Sequence, residues 1–415
     1  SYMLYFIILT LGIIGARGAI RLIMILGAFS PITVSFLTIK VSENYFKEKS
    51  DIVRFFTGLI ALILIISLFF TGYTYFKMDK FTSENFAPGV YQWQWQKAMS
   101  WVRDNTEKNA VFAHWWDYGY WLQSIGERAT ILDGGNAITY WDHLLGRHVL
   151  TGDDEQKALE FLYTHNATHL LIDSTDIGKY TAFSSIGADE NYDRFSWIPN
   201  FLMDESQTIE TNNETANVFV GGSAIDEDLI WTENGKEIFL PAKKAAIGAI
   251  VLRESNKKFQ QPIGVFVYQG QQYQIPLRYV YFEYSGEFVD FGSGLEAGIF
   301  VFPKINAISG GEININYFGG LLYLSKRTVN SQLVKLYLFN RESKYFKPVL
   351  TQDSFFVESL KQQGVKLGNF VYYQGLQGPI KIWEINYPQG IKSNPEFLET
   401  EFPNEEIRVA KPGEY

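Results

Sequence analysis

Residues 53–76 read VRFFTGLIALILIISLFFTGYTYF, and their middle, 55–70, carries no charge. At ~1.5 Å rise per residue, a helix of this length crosses a bilayer core of about 30 Å. In lipid every backbone polar group must be satisfied within the segment, which leaves a helix as its form. Residues 22–39 form a second apolar stretch with Pro31 as a kink point, and residues 2–15 a third. The three follow one another without a cleavage pattern, so they read as about three transmembrane helices over residues 1–77 and not as a signal sequence. Lys40, Lys47, Lys49 and Arg54 lie between the last two, which places that loop in the cytoplasm and everything after Lys77 outside. Arg17 and Arg21 fall on the outer side near lipid depth. Each is expected either to grip a lipid-linked phosphate or to snorkel to headgroups.

The 415 residues carry 36 Lys and Arg against 45 Asp and Glu, a net charge of −9. That acidic balance excludes a general nucleic-acid binder, which needs a basic face. The absence of cysteine removes disulfides, thiolate metal sites and thiol nucleophiles. Because the chain opens at Ser1 inside an apolar segment, it is expected to be a fragment of a longer protein.

Past the membrane segments the chain reads as multidomain. Residues 78–91 form a polar linker. Residues 92–104 are helical at their end, where Ala98, Trp101 and Val102 recur at helical spacing. Short aliphatic runs at 110–113, 129–132 and 169–172 alternate with helical stretches. The second of these stretches is expected to open at a capping box over residues 151–154. Strand alternating with helix predicts a parallel α/β domain over 92–230. From 231 to 415 the texture turns to β, with strands expected at 263–268, 279–284, 312–317, 333–339 and 380–387. Turn markers at 234–235, 310–311 and 319–320 separate them, and the pattern predicts a sandwich or barrel.

The chemistry concentrates in Trp115-Trp116-Asp117-Tyr118-Gly119. A short strand ends in two Trp and an Asp, and a helix follows to residue 125, closed by Gly126. A strand-to-helix turn is where an α/β unit presents ligands. Two indole N–H donors, one carboxylate acceptor and two ring faces that exclude water suit a small hydroxyl. The competing reading is core Trp with Asp117 as a helix N-cap.

These residues match the WWDYG signature, and residues 114–136 resemble along their length the catalytic subunit of oligosaccharyltransferase, archaeal AglB type. The resemblance implies that Trp115, Trp116 and Asp117, within the stretch Trp115 to Gly119, read the hydroxyl of the Ser or Thr two positions after the acceptor Asn in N-x-Ser/Thr. The family's D-x-x-K-x-x-x-Met/Ile motif, on a helix facing the same pocket, is matched by Asp176, Lys179 and Phe183. Phe183 stands where the family has Ile or Met, with Ile186 the alternative for touching the Thr methyl. Asp176 and Lys179, one turn apart, share a helix face.

The family's phosphate-contacting Arg is matched by Arg21, with Arg17 the second choice. The resemblance further implies Mn²⁺ or Mg²⁺ in the full enzyme, with ligands upstream of this chain and no catalytic or metal residue within it. It implies as partners an acceptor polypeptide, an oligosaccharide linked to dolichol phosphate or diphosphate, and a membrane. The expected function is the C-terminal portion of a glycosyltransferase, in a multi-pass cell-membrane protein with its soluble part extracytoplasmic, inactive alone. The alternative is a non-enzymatic membrane-anchored surface protein with a carbohydrate-binding β module.

Overall fold

The computed structural model describes residues 7, 9–15, 23–86, 92–211, 214–233, 235–256, 258–307 and 313–403. The chain divides into two units, Ser1–Val90 and Tyr91–Tyr415.

In the first unit, helix α1 (Ile23–Lys47) turns back at residues 48–50 into helix α2 (Asp51–Phe86). Glu48 closes the turn by accepting from the Lys49 and Ser50 amides at 2.8 and 3.0 Å. Gly58 makes room for the Tyr45 ring, which a Cβ there would meet at 2.8 Å. Among the described residues α2 is the one helix long and apolar enough to cross a membrane, over Asp51–Ser83. Its Phe55, Ile66 and Phe69 side chains point outward uncovered, the pattern of a surface whose solvent is lipid.

The expectation of about three spans is therefore met by one among these residues. In α1 the apolar stretch gives way to an ion-paired turn in which Glu43 joins Lys40 and Lys47. The first expected span, Arg17 and Arg21 fall wholly or in part outside the described residues. The linker expected at 78–91 is corrected as well, because α2 continues through Phe86.

The second unit opens with helix α3 (Trp93–Asn105), then strand β1 (Val111–Ala113), helix α4 (Gly119–Ser124) and strand β2 (Ala129–Thr130). Helices α5 (Thr139–Leu144) and α6 (Glu155–Thr164), strand β3 (His169–Ile172) and helix α7 (Thr175–Ile186) follow. The cap of α6 is Asp154, whose carboxylate accepts from the Gln156 and Lys157 amides. Thr151 instead donates to the Gly146 carbonyl at 2.8 Å, so the capping box shrinks to one residue. Strand β1 pairs in parallel with both β2 and β3, in the register Phe112 opposite Thr130 and His169.

Two late strands, β4 (Phe346–Gln352) and β5 (Ile380–Ile385), complete this sheet in the order β4-β5-β3-β1-β2. β5 runs antiparallel to β3 with Ile382 opposite Leu171. The boundary expected between residues 230 and 231 is thus crossed by hydrogen bonds. The sequence pattern puts residues 380–385 in a β-rich module, yet Ile380, Lys381, Ile382 and Trp383 are all buried, as befits an interior strand. Lys381 survives burial because its ammonium donates to the Tyr337 carbonyl at 2.8 Å and to Asn340 Oδ1 at 2.6 Å.

Between α7 and β4 lies a closed barrel. Seven strands pair around it: Asn200–Met203, Glu214–Ala224, Ala246–Ser255, Ile263–Tyr268, Gln271–Phe282, Leu295–Ala307 and Ile313–Leu324. Closure comes from Gln271–Phe282 pairing in parallel with Leu295–Ala307. Phe201, Phe219, Ile250, Phe266, Ile299 and Leu321 belong to its own apolar core. The choice between sandwich and barrel resolves to the barrel, which begins near residue 200 and so takes strands from the α/β domain expected over 92–230.

Two sequence expectations fail here. Residues 333–339 contain no strand but a helical turn of π type, Val334–Leu338, since a short apolar run does not by itself separate strand from buried helix. Gly319-Gly320 mark no turn: they lie within Ile313–Leu324, where the Lys304 and Phe302 side chains pack so closely that a Cβ would meet either at 2.5 Å.

Candidate functional site

Both sequence motifs sit at the carboxyl ends of neighbouring parallel strands. β1 leads through His114 and Trp115 into a 3₁₀ turn, Trp116–Tyr118, and on into α4. β3 leads through Asp173 and Ser174 into α7. That adjacency brings positions about sixty residues apart in sequence to one edge of the sheet, the usual ligand position of such folds.

Asp117 meets Lys179 across this edge, carboxylate oxygen to ammonium at 3.2 Å, with both side chains about one-third exposed. Lys179 also donates to the Tyr118 hydroxyl at 3.1 Å and stands 4.6 Å above the Tyr118 ring. The Tyr118 hydroxyl in turn donates to Asp176 Oδ1 at 2.7 Å. Asp176 is fully buried, and its other oxygen accepts from the Asp173 amide at 3.0 Å. Burial, helped by the charge of Asp173, pushes the Asp176 carboxyl up to about 7. Burial raises Asp173 too, against the hydrogen bonds from Thr175 that favour its ionised form. Tyr118 stacks on Trp95 of α3 at 4.8 Å, fixing its ring.

Trp115 and Trp116 separate in role. Trp115 is 1% exposed and meets the edge of Phe183 at 5.4 Å. Trp116 is half-buried, its ring 6.3 Å from that of Trp115. Neither indole N–H has a hydrogen-bond acceptor among the described residues. Phe183 is fully buried between Trp115 and Tyr180, so it forms the floor beneath Trp115 and offers no surface to a substrate methyl. Ile186 is half-buried, and its carbonyl serves His143 at 2.8 Å. Asp117 is not a helix N-cap, since no side-chain cap is made at the start of this turn.

Gly119 is explained by space. Its backbone is helical, but a Cβ there would lie 2.5 Å from the Asp133 Cα and 2.7 Å from the Leu132 carbonyl. The loop at 131–138 rests directly on it. Composition and spacing alone do not reveal Asp173, Thr175 and Trp95, which complete the Tyr118 network. Their signal is position, at the turn after β3 and on a helix rich in Trp.

Among the described residues no group of three or more His, Asp or Glu gathers to hold a metal. The histidines sit in protein surroundings. Burial lowers His114 and His143 to about 4 and His148 to about 3, so they are neutral packing groups.

No family model matches the chain. Over 95 residues, 22% of its length, it is 36% identical to dolichyl-phosphooligosaccharide-protein glycotransferase 1 of Pyrococcus horikoshii. That stretch is what the chain shares with proteins named as dolichyl-phosphooligosaccharide-protein glycotransferases. A dolichyl-diphosphooligosaccharide–protein glycosyltransferase subunit of Saccharomyces cerevisiae shares 27% identity with the chain over 77 residues, 19% of the chain and 10% of the yeast protein. The match to the Pyrococcus horikoshii protein covers 9% of that protein's length. The crystal structure of an Archaeoglobus fulgidus oligosaccharyltransferase aligns with 87% of the chain and 40% of its own, at 14% identity and a TM-score of 0.40.

Proposed function

We propose that this chain is the C-terminal portion of an oligosaccharyltransferase and that the edge formed by Trp115, Trp116, Asp117 and Lys179 receives the Ser or Thr of an N-x-Ser/Thr acceptor. The observation that carries this is the Asp117–Lys179 contact at 3.2 Å, which joins the two motifs at one partly open edge. A hydroxyl has one proton to donate and lone pairs to accept with. Asp117 keeps carboxylate lone pairs free to take the proton, and the indole N–H groups are free to donate to the oxygen. The exposed part of Trp116 covers the methyl of Thr, with Trp115 and Phe183 holding it from below. Lys179 keeps Asp117 aimed.

The donor in this reading is an oligosaccharide on dolichol phosphate or diphosphate, with Arg21, or Arg17, gripping its phosphate. The protein spans the cell membrane several times and carries Tyr91–Tyr415 outside. The Mn²⁺ or Mg²⁺ expected for the family supplies charge neutralisation and positioning of the acceptor amide. No observation on the barrel favours the carbohydrate-binding alternative.

The test is peptide affinity. A peptide with Asn-x-Thr should bind the full chain more tightly than its Asn-x-Ala counterpart by roughly tenfold or more, the worth of about 1–3 kcal/mol for one buried hydroxyl pairing. Asp117→Ala should erase the difference. Equal binding of the two peptides by the unaltered chain would overturn the reading.

A further inference from the structure

We propose a Ca²⁺ site in the small cavity between the loop at 131–138 and α5. The cavity measures about 150 Å³ and is lined by Asp133, Asn136 and Asp142 together with Ile131, Ile138 and Trp141. Asp142 is 5% exposed, and its Oδ1 has no hydrogen-bond partner. Asn136 Oδ1 is buried and equally unpartnered, on a residue held in the left-handed region at φ 45°. Asp133 is pinned by the Gly135 amide at 2.8 Å and by Gln123 Nε2 at 3.0 Å, each using one lone pair and leaving others free.

The lining thus leaves two buried acceptor oxygens, Asp142 Oδ1 and Asn136 Oδ1, without a donor. Two carboxylates face it, and neither has a Lys or Arg partner among the described residues. Water could satisfy the lone pairs, whereas the charge of an ionised Asp142 calls for a cation or a proton. A buried carboxylate is retained when it is paired or coordinates a cation. Oxygen-only donors of this kind, two carboxylates and an amide, select a hard cation, and a loop with room for backbone carbonyls and water suits the irregular shell of Ca²⁺ better than the strict octahedron of Mg²⁺.

Position gives the site a role. The same loop lies on Gly119, the last residue of the WWDYG turn, and Asp133 supplies the atoms nearest it. Gln123, on α4, binds Asp133 from the other side. A cation shared by Asp133 and Asp142 braces the platform on which the turn rests. Because it rests on these contacts alone, the site stands independently of what the turn binds.

The experiment is Ca²⁺ titration of the full chain, stripped with EGTA, by calorimetry and by thermal unfolding. The expected result is saturable binding with a rise in Tm, a much smaller response to Mg²⁺, and a loss of affinity of at least about tenfold in both Asp142→Asn and Asn136→Ala. Asn136 is on a surface loop, so its variant tests the site even if Asp142→Asn fails to fold. Absence of binding by the unaltered chain overturns the proposal, as does Ca²⁺ binding that both variants retain in full.

Discussion

The Tyr118 hydroxyl donates to Asp176 at 2.7 Å while accepting from Lys179 at 3.1 Å. One phenol therefore ties the WWDYG turn to the helix carrying the D-x-x-K residues. Asp176 does not share the exposed face with Lys179: it turns inward, and the two grip Tyr118 from opposite sides. Lys179 is left with reach to Asp117.

Tyr118→Phe keeps the ring stacked on Trp95 and removes the link. It leaves a buried carboxyl oxygen unpaired, with an expected loss of about 1–3 kcal/mol in unfolding free energy. Denaturant titration measures this. Peptide affinity should fall as well, since Lys179 loses one of its two anchors.

Trp115→Ala and Trp116→Ala should part company. Removing the fully packed Trp115 ring leaves a cavity, with an expected cost of about 3–5 kcal/mol in stability. Removing the half-buried Trp116 ring should cost far less stability and weaken Asn-x-Thr peptide binding. Thermal unfolding and peptide titration on the same two variants separate the roles.

Gly119→Ala places a methyl against the backbone of Asp133, which has no flexible end to move aside. An expected destabilisation of about 1–3 kcal/mol follows from overpacking. Gly178→Ala is the control: nothing lies within 4 Å of a Cβ there, and this helical substitution should be neutral or slightly stabilising.

Asp142 gives a pH test. Burial, then the charge of Asp133, raises its carboxyl to about 7, above the value near 4 of the unfolded chain. A raised acid contributes its full stability below the unfolded pKa and loses it as pH rises through the folded one. In EGTA the protein should therefore lose stability between about pH 4 and pH 7 through this group, and Asp142→Asn should flatten that part of the profile. A profile of unchanged slope in the variant would show that Asp142 does not titrate as placed.

The α/β core is legible where local pattern and tertiary role agree. β1, β2 and β3 fall on the three aliphatic runs, and α3, α4 and α6 on the stretches read as helical, while α7 follows only from the family resemblance. What the pattern cannot show is pairing at long range. Ile380–Ile385 carries the same apolar letters whether it closes a barrel or enters the sheet beside β3, and only the burial of both its faces decides. No turn forms at 319–320 for a related reason, as paired glycines serve a bend and a tight packing contact equally well. At the site, the letters name the Trp, Asp and Lys residues. They do not say that Phe183 faces inward, because the position one residue earlier, Ala182, is exposed.

The barrel leaves the chain after α7 and returns it before β4, so both of its ends open onto the sheet that bears the WWDYG turn. It is an insertion, not an appendix. Truncating the chain near residue 230 would strip β3 of β5 and bare a row of backbone amides and carbonyls, while excision of the whole ring would keep all five strands but uncover the apolar core they share with Phe300, Phe302 and Leu322. The inserted body and the sheet therefore keep their shared packing or lose it together.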